Sequence, residues 1–427
     1  SHVELNEIVS VHYYERPWVK AWRQYRAGQK LGPFNFSTIF GKDIYEKFTN
    51  VITQPWAWAM TDGHVPTIVN THPHHKCHAA ASFQTSPYDE ATVVVIDAIG
   101  ENDCATIWKA YYNKRGIAKY KKLWTLKYPN SIGLYYSAMT ARLGLRPLDE
   151  EYILMGMAAY GDPNRFYDDI KEQLCLNGEN LHRGCLWWNP DLTEDDYFDV
   201  AAATQKIYEE YFVSLLQRTK EMTGESNLVC MGGGALNCLA NRLIPEHFDN
   251  HWIMPSPGDA GSCMAAIASY EQKRLNWKTP YLGYNIEGGY PINDLLANLI
   301  ASKIVGVANG RAEFGPRALG NRSLLADPRG PKVKDLVNQI KRRQKFRPFA
   351  PAILEEDVND YFDLPIAVKN TPYMQFTAAC KRGKDFPAII HHDGTSRVQT
   401  VRKTDNPGFH ALLTAVSYTH LTLPTKA

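Results

Sequence analysis

An α/β protein with its chemistry at the C-terminal edge of a sheet is what three stretches of this 427-residue chain predict. ATVVVIDAIGE (91–101) is an unbroken β-branched run closing on Asp97 and a glycine, the pattern of a strand buried on both faces that delivers a carboxylate to a sheet edge. SNLVCMGGGALNCLANRLI (226–244) reads strand, triple glycine, helix, and HWIMPSPGDAGSCMAAIASYEQKRL (251–275) repeats the plan with a Pro-Gly turn. Two such units in succession imply a sheet flanked by helices, with its functional edge where the strands end.

The other elements follow in order. Residues 1–60 are aromatic and basic and predict helices with buried Trp and Tyr. CATIWKAYYN (104–113) and AKYKKLWTLKY (118–128) alternate as the next two strands of a meander. SIGLYYSAMTARLGL (131–145) and EEYILMGMAAYG (150–161) carry apolar residues at helical spacing and close on glycine. A long amphipathic helix is expected over 198–222. NWKTPYLGYNIEGGYP (276–291) reads as a linker, and beyond it Arg, Gly and Pro are concentrated as nowhere earlier. The boundaries drawn are 1–278, 279–414 and a tail, 415–427, without helical or strand periodicity.

Composition narrows the function classes. Hydrophobic residues at 44% supply packed cores, and a net charge of +2 gives no overall lure for nucleic acid. Eight scattered cysteines with no C-x-x-C pair read as reduced thiols, and no apolar run is long enough to span a bilayer. A cytoplasmic protein is expected.

His74 and His78, within HPHHKCHAAASF, are four apart, so on a helix both imidazoles share a face at a spacing that suits Fe or Zn. With 14 histidines in 427 positions such a pair arises by chance about as often as not. Asp97 is either a ligand or a turn cap, and Asp259 either a ligand or the N-cap of the following helix. Together the four form a set of two nitrogens and two oxygens. The turn Gly232, Gly233, Gly234 fits neither common nucleotide fingerprint, and serves ligand approach or packing equally well. In the distal module Arg317 and Arg322 lie among glycines that can aim a guanidinium inward, toward a small anion.

These motifs, with YPNSIGLYYSAMTARLGL, DEEYILMGMAAYG, GRAEFGPRALGNRSLLADPR, FRPFAPAI and DGTSRVQTV, occur in an order that closely resembles the O-carbamoyltransferases of nodulation-factor and antibiotic (tobramycin, cephamycin) biosynthesis. The resemblance covers most of residues 10–414. It implies an N-terminal domain of the actin-like ATPase superfold (RNase H-like) and a YrdC-like α/β C-terminal domain. It implies carbamoyl phosphate and ATP (with Mg) as co-substrates, a carbamoyl-adenylate intermediate, and a small hydroxylated acceptor such as a sugar or aminoglycoside. His74, His78, Asp97 and Asp259 fall on the family's iron ligands, so Fe(II) or another divalent metal is expected. Gly232, Gly233, Gly234 and Asn237 fall on its nucleotide-binding turn, and Lys345 and Arg397 are added as cofactor-binding. The candidate catalytic residues are Asp97, Arg317, Arg322 and Arg347. No nucleic-acid or membrane partner is expected, and a homodimer is left open. The family's opening His-Asp-Ala type motif and closing Asn-Thr-Ser-Phe-Asn type motif have no match here. A fragment lacking both native ends is therefore expected, with a non-native tail at 415–427 and impaired turnover. The alternatives are a threonylcarbamoyl-transfer enzyme of tRNA modification and a non-catalytic, nucleotide-binding actin-fold protein.

Overall fold

The computed structural model describes residues 10–28, 69–174, 188 and 190–422. Strands β1 (Val11–Tyr13) and β2 (Val69–Thr71) pair in parallel, and helix α1 (Pro17–Arg26) lies between them in sequence. Helix α2 (His74–Thr85) leads into the meander β3 (Glu90–Gly100), β4 (Asp103–Tyr112) and β5 (Ala118–Lys127). Then come α3 (Ile132–Arg142), α4 (Glu151–Met157), α5 (Tyr167–Leu174) and α6 (Tyr197–Thr223). The units β6 (Asn227–Met231) with α7 (Cys238–Asn241), and β7 (Asn250–Trp252) with α8 (Ser262–Glu271), complete the first module.

The five strands form one mixed sheet in the order β5-β4-β3-β6-β7, antiparallel within the meander and parallel from β3 through β7. The unbroken apolar run of β3 has a direct cause. Val94 and Ile96 face one core with Ile107, Leu228 and Phe212, while Val93 and Val95 face another with Phe83, Val229 and Met231. A strand buried on both faces has no place for polar alternation. Ser131 caps α3 by accepting a hydrogen bond from the Leu134 amide at 3.0 Å, and Gly224, at φ 65°, ends α6. Register matters most. Thr92 pairs with Leu228 and Val95 with Met231, so Asp97 and the triple glycine leave the sheet side by side at one edge.

The second module is assembled from short ladders. β8 (Tyr281–Ile286) pairs with β10 (Gly310–Glu313), and β9 (Ile304–Ala308) with β11 (Arg322–Ala326), both antiparallel. β12 (Ala352–Leu354) runs parallel to β16 (Gln399–Val401), and β13 (Phe362–Asp363), β14 (Thr377–Cys380) and β15 (Thr395–Arg397) form a small antiparallel sheet. Helices α9 (Ile292–Ser302), α10 (Pro331–Ile340), α11 (Val358–Tyr361) and α12 (Pro407–Thr422) pack among them. The modules share packing. Val368 and Phe376 join the first module's core, and the Asn241 side-chain amide donates to the Gln375 carbonyl at 3.0 Å.

Three expectations are corrected. Six residues of the expected linker, 281–286, are strand β8, whose alternation was hidden among Gly, Tyr and Asn. Trp18 and Trp22 on α1 are exposed rather than buried, and the rest of the aromatic stretch, 29–60, lies outside the described residues. Helix α12 continues through Thr422, beyond the expected break at 414, with Val416 packed against Leu412 and Leu295 in the second module's core. Cys77, Cys104, Cys230, Cys238, Cys263 and Cys380 are free thiols. Among the described residues no helix is long and apolar enough to cross a membrane.

Candidate functional site

Three chain segments converge on one point at the sheet edge. Helix α2 presents His74 and His78 on one face, β3 ends in Asp97, and a single 3-10 turn before α8 carries Asp259. The His74 Nε2 lies 3.0 Å from Asp97 Oδ2 and 3.0 Å from the His78 Nε2. The His78 Nε2 is 3.1 Å from Asp259 Oδ1. One ligating atom from each of the four side chains falls within 4.8 Å of the others. Both Nδ1 atoms are buried without a hydrogen-bond partner, so neither ring is anchored from behind and both are aimed inward. Gly100 makes this approach feasible, since a Cβ there would stand 2.1 Å from the His74 ring. The two-nitrogen, two-oxygen donor set fits a borderline divalent cation. Asp259, with its side chain 55% exposed, is the open side of the cluster.

The electrostatics call for positive charge at that point. Burial by itself depresses the His74 imidazole, but hydrogen bonds with Asp259 and Asp97 outweigh it and hold the pKa up at about 10. His78 is raised for the same reasons. Burial would raise the Asp97 carboxyl, yet its bonds to the two histidines hold it well below the usual carboxylate range. A divalent cation entering the cluster would compete with protons for these imidazoles. Loading the metal-free chain with a divalent cation near neutral pH is expected to release at least one proton, with affinity rising about tenfold per pH unit for each proton displaced. Calorimetry in buffers of different ionisation enthalpy checks this, and a heat independent of buffer refutes it.

Beside the cluster, β6 ends in the glycine turn. Gly232 takes φ 92° and packs so closely that a Cβ would meet the Ile96 carbonyl oxygen at 2.1 Å. Gly234 lies against Ile96 and Tyr208. Gly233 is the one that faces the cluster, its Cβ position being 3.2 Å from Asp97 Oδ1. Asn237 lines the same cavity, but its amide exchanges hydrogen bonds with Gln205 and its oxygen caps α7 through the Ala240 amide at 3.1 Å.

A cavity of about 1670 Å³ runs from Asp97, Gly233 and Asp259 across to the second module. There Arg317, Arg343, Arg347, Arg397 and Lys341 line its far side. Among the described residues none of the five is within ion-pair distance of a carboxylate. They feel one another instead. The charge of Arg397, then burial, pulls Arg317 down to about 9, and burial with Arg347 and Arg397 pulls Arg343 down to about 10. The Arg397 Nε is buried with no hydrogen-bond partner. Uncompensated like charges around a cavity are a receptor for an anion.

The structure thus brings together His74, His78, Asp97 and Asp259 with Gly233 at one end of the cavity, and Arg317, Arg347 and Arg397 at the other. Two expectations are corrected. The Arg322 guanidinium is spent on four backbone carbonyls, those of Asn309 and Asn321 at 2.8 Å and of Tyr284 and Gly310 at 3.0 Å, so it clamps β8, β10 and β11 rather than facing an anion. Lys345 is exposed and does not line the cavity. Arg343 and Lys341, left unassigned among the distal basic residues, do line it; their signal in KRRQKFRPF was only basic density.

Comparison with known proteins identifies the family. The family profile for the carbamoyltransferase N-terminus matches residues 14–183 and 179–268, and that for the carbamoyltransferase C-terminus matches 296–422. The chain belongs to the carbamoyltransferase family and is an enzyme. Its relatives include an uncharacterised protein of Synechocystis sp., 31% identical over 96% of this chain and 80% of its own length. Nodulation protein NolO of Bradyrhizobium diazoefficiens is 32% identical over 80% of this chain and 69% of its own length. The 3'-hydroxymethylcephem-O-carbamoyltransferase of Amycolatopsis lactamdurans is 27% identical over 80% of this chain and 70% of its own length.

Proposed function

We propose that the chain is an ATP- and carbamoyl-phosphate-dependent O-carbamoyltransferase acting on a hydroxyl of a small molecule. The observation that carries this reading is the single cavity holding a cation cluster at one end and an unneutralised arginine cluster at the other. At the arginine end, carbamoyl phosphate is hydrolysed to carbamate and inorganic phosphate. A carbamate oxygen then attacks the α-phosphorus of ATP, giving carbamoyl-adenylate and pyrophosphate. Arg317, Arg347 and Arg397 hold the phosphates, with Arg343 adding charge. At the other end the acceptor oxygen attacks the carbamoyl carbon, the bond to the adenylate oxygen breaks, and AMP leaves as the acceptor gives up its proton. Gly233 lets the backbone approach the nucleotide, and His74, His78, Asp97 and Asp259 would hold Fe(II) or another divalent cation. Such a cation supplies Lewis-acid polarisation of the carbamoyl carbonyl and alignment for attack. Carbamate is short-lived in water, so making and consuming its adenylate in one enclosed space is chemically economical.

The same proposal takes the first module as actin-like, supported by its antiparallel meander followed by two parallel strands, and the second as YrdC-like, which rests on the resemblance. The test is to incubate the metal-loaded chain with ATP, carbamoyl phosphate and a panel of sugars and aminoglycosides. AMP and pyrophosphate are expected in step with a mass gain of one carbamoyl group on the acceptor. Formation of ADP in its place would refute the mechanism.

A further inference from the structure

Arg347 belongs to the second module, yet the first module sets where it stands. Helix α4 presents Tyr152 and Gly156, four apart and therefore on one face, toward the segment Phe346–Arg347. The Arg347 guanidinium lies over the Tyr152 ring, 4.6 Å from its centroid. Phe346 is gripped beside it. The Tyr160 hydroxyl donates to the Phe346 carbonyl at 2.9 Å, and the Phe346 ring packs edge-on against Tyr160 and Phe198. Gly156 lies against the same ring, its Cβ position at an ordinary contact distance of 3.7 Å from Phe346.

The placement solves an electrostatic problem. Arg317, Arg343 and Arg397 already crowd the far side of the cavity, and a further guanidinium without an anion is repelled from them. An aromatic face attracts the cation without neutralising it, as a carboxylate would. Arg347 is thereby kept at the edge of the cluster, charged and pointed into the cavity, rather than paired away. The Tyr152 hydroxyl accepts a side-chain hydrogen bond from the same guanidinium, which also donates a long one, 3.4 Å, to Gln344 Oε1.

We infer that Tyr152 is a positioning residue of the anion site: from the first module it holds the Arg347 guanidinium ready to close on a phosphate-bearing ligand in the second. The inference rests on the anion reading of the arginine cluster proposed above. It makes the docking of the two modules a condition for tight anion binding, so phosphate chemistry is supported only when the transfer site is in place next to it.

The experiment is a double-mutant cycle on the full chain, read by calorimetric binding of inorganic pyrophosphate. Tyr152→Leu is expected to weaken binding about tenfold, the scale of a partly desolvated cation–π contact. Tyr152→Phe and Tyr152→Trp, which keep the aromatic face, are expected to stay within about threefold. In an Arg347→Met background Tyr152→Leu is expected to have no further effect, since the two residues act as one unit. In turnover assays Tyr152→Leu should raise the KM for carbamoyl phosphate while leaving kcat near the parent value. Equal loss in the Leu and Phe variants, or additive losses in the cycle, overturns the inference. A parent chain that does not bind pyrophosphate overturns the anion reading itself, and with it this one; thermal melting of each variant separates misfolding from either result.

Discussion

Asp97→Asn is expected to separate the two halves of the reaction. The substitution keeps size and the 3.0 Å acceptance from the Ala98 amide, so β3 still ends in the same turn. It removes the charge that both histidines face at 3.0 and 3.3 Å. With that carboxylate gone, only Asp259 still opposes burial and the imidazoles gather less positive charge, so divalent metal affinity should fall by about 100-fold or more. Loss of a bound Lewis acid costs several kcal/mol of transition-state stabilisation, on the order of 1,000-fold in transfer rate. Pyrophosphate release from ATP and carbamoyl phosphate should persist, because the arginine cluster lies across the cavity from the change. Elemental analysis of the purified variant, with transfer followed by mass spectrometry and pyrophosphate by a coupled assay, checks each arm. A variant that retains metal and transfers at the parental rate would remove Asp97 from the site.

How much of this was legible in the sequence depended on whether a residue's role is set by its neighbours in the chain. The both-faces-buried strand was legible because six consecutive residues, Ala91 to Ile96, carry one message. His74 and His78 were legible as a pair because helical spacing fixes their mutual geometry, but not as half of a cluster, since the carboxylates arrive from 23 and 181 positions away. Asp259 is the clearest case of two readings from one motif. Its position before a helix fits an N-cap, yet Gly258 takes the cap position and the carboxylate turns to His78. Arg322 failed for a related reason. Glycines around it were read as freedom to point inward, whereas the turns they form at 309–310 and 320–321 expose carbonyls that the guanidinium satisfies locally. The contact of Tyr152 with Arg347 lay beyond sequence reasoning, because it exists only once the modules dock.

Arg317→Met is expected to move stability and binding in opposite directions. At a pKa of about 9 the guanidinium is still charged at neutral pH, held against Arg397 and in a largely dry setting with one weak 3.4 Å bond to the Leu236 carbonyl. The folded, anion-free chain therefore carries a repulsion that the unfolded chain does not, and an unbranched apolar side chain of similar length removes it without leaving a cavity. The melting temperature without anion should rise, by about 2–4 °C for each kcal/mol of repulsion relieved. Pyrophosphate affinity should fall about 10- to 100-fold, the scale of one charge-assisted hydrogen-bond donor lost from a buried phosphate site. Added pyrophosphate should raise the melting temperature of the parent chain by mass action and barely move that of the variant. A structural role for Arg317 makes the contrary forecast, with a lower melting temperature and unchanged anion stabilisation. Scanning calorimetry of both chains, with and without pyrophosphate, therefore decides between a strained receptor for phosphate and an ordinary buried arginine.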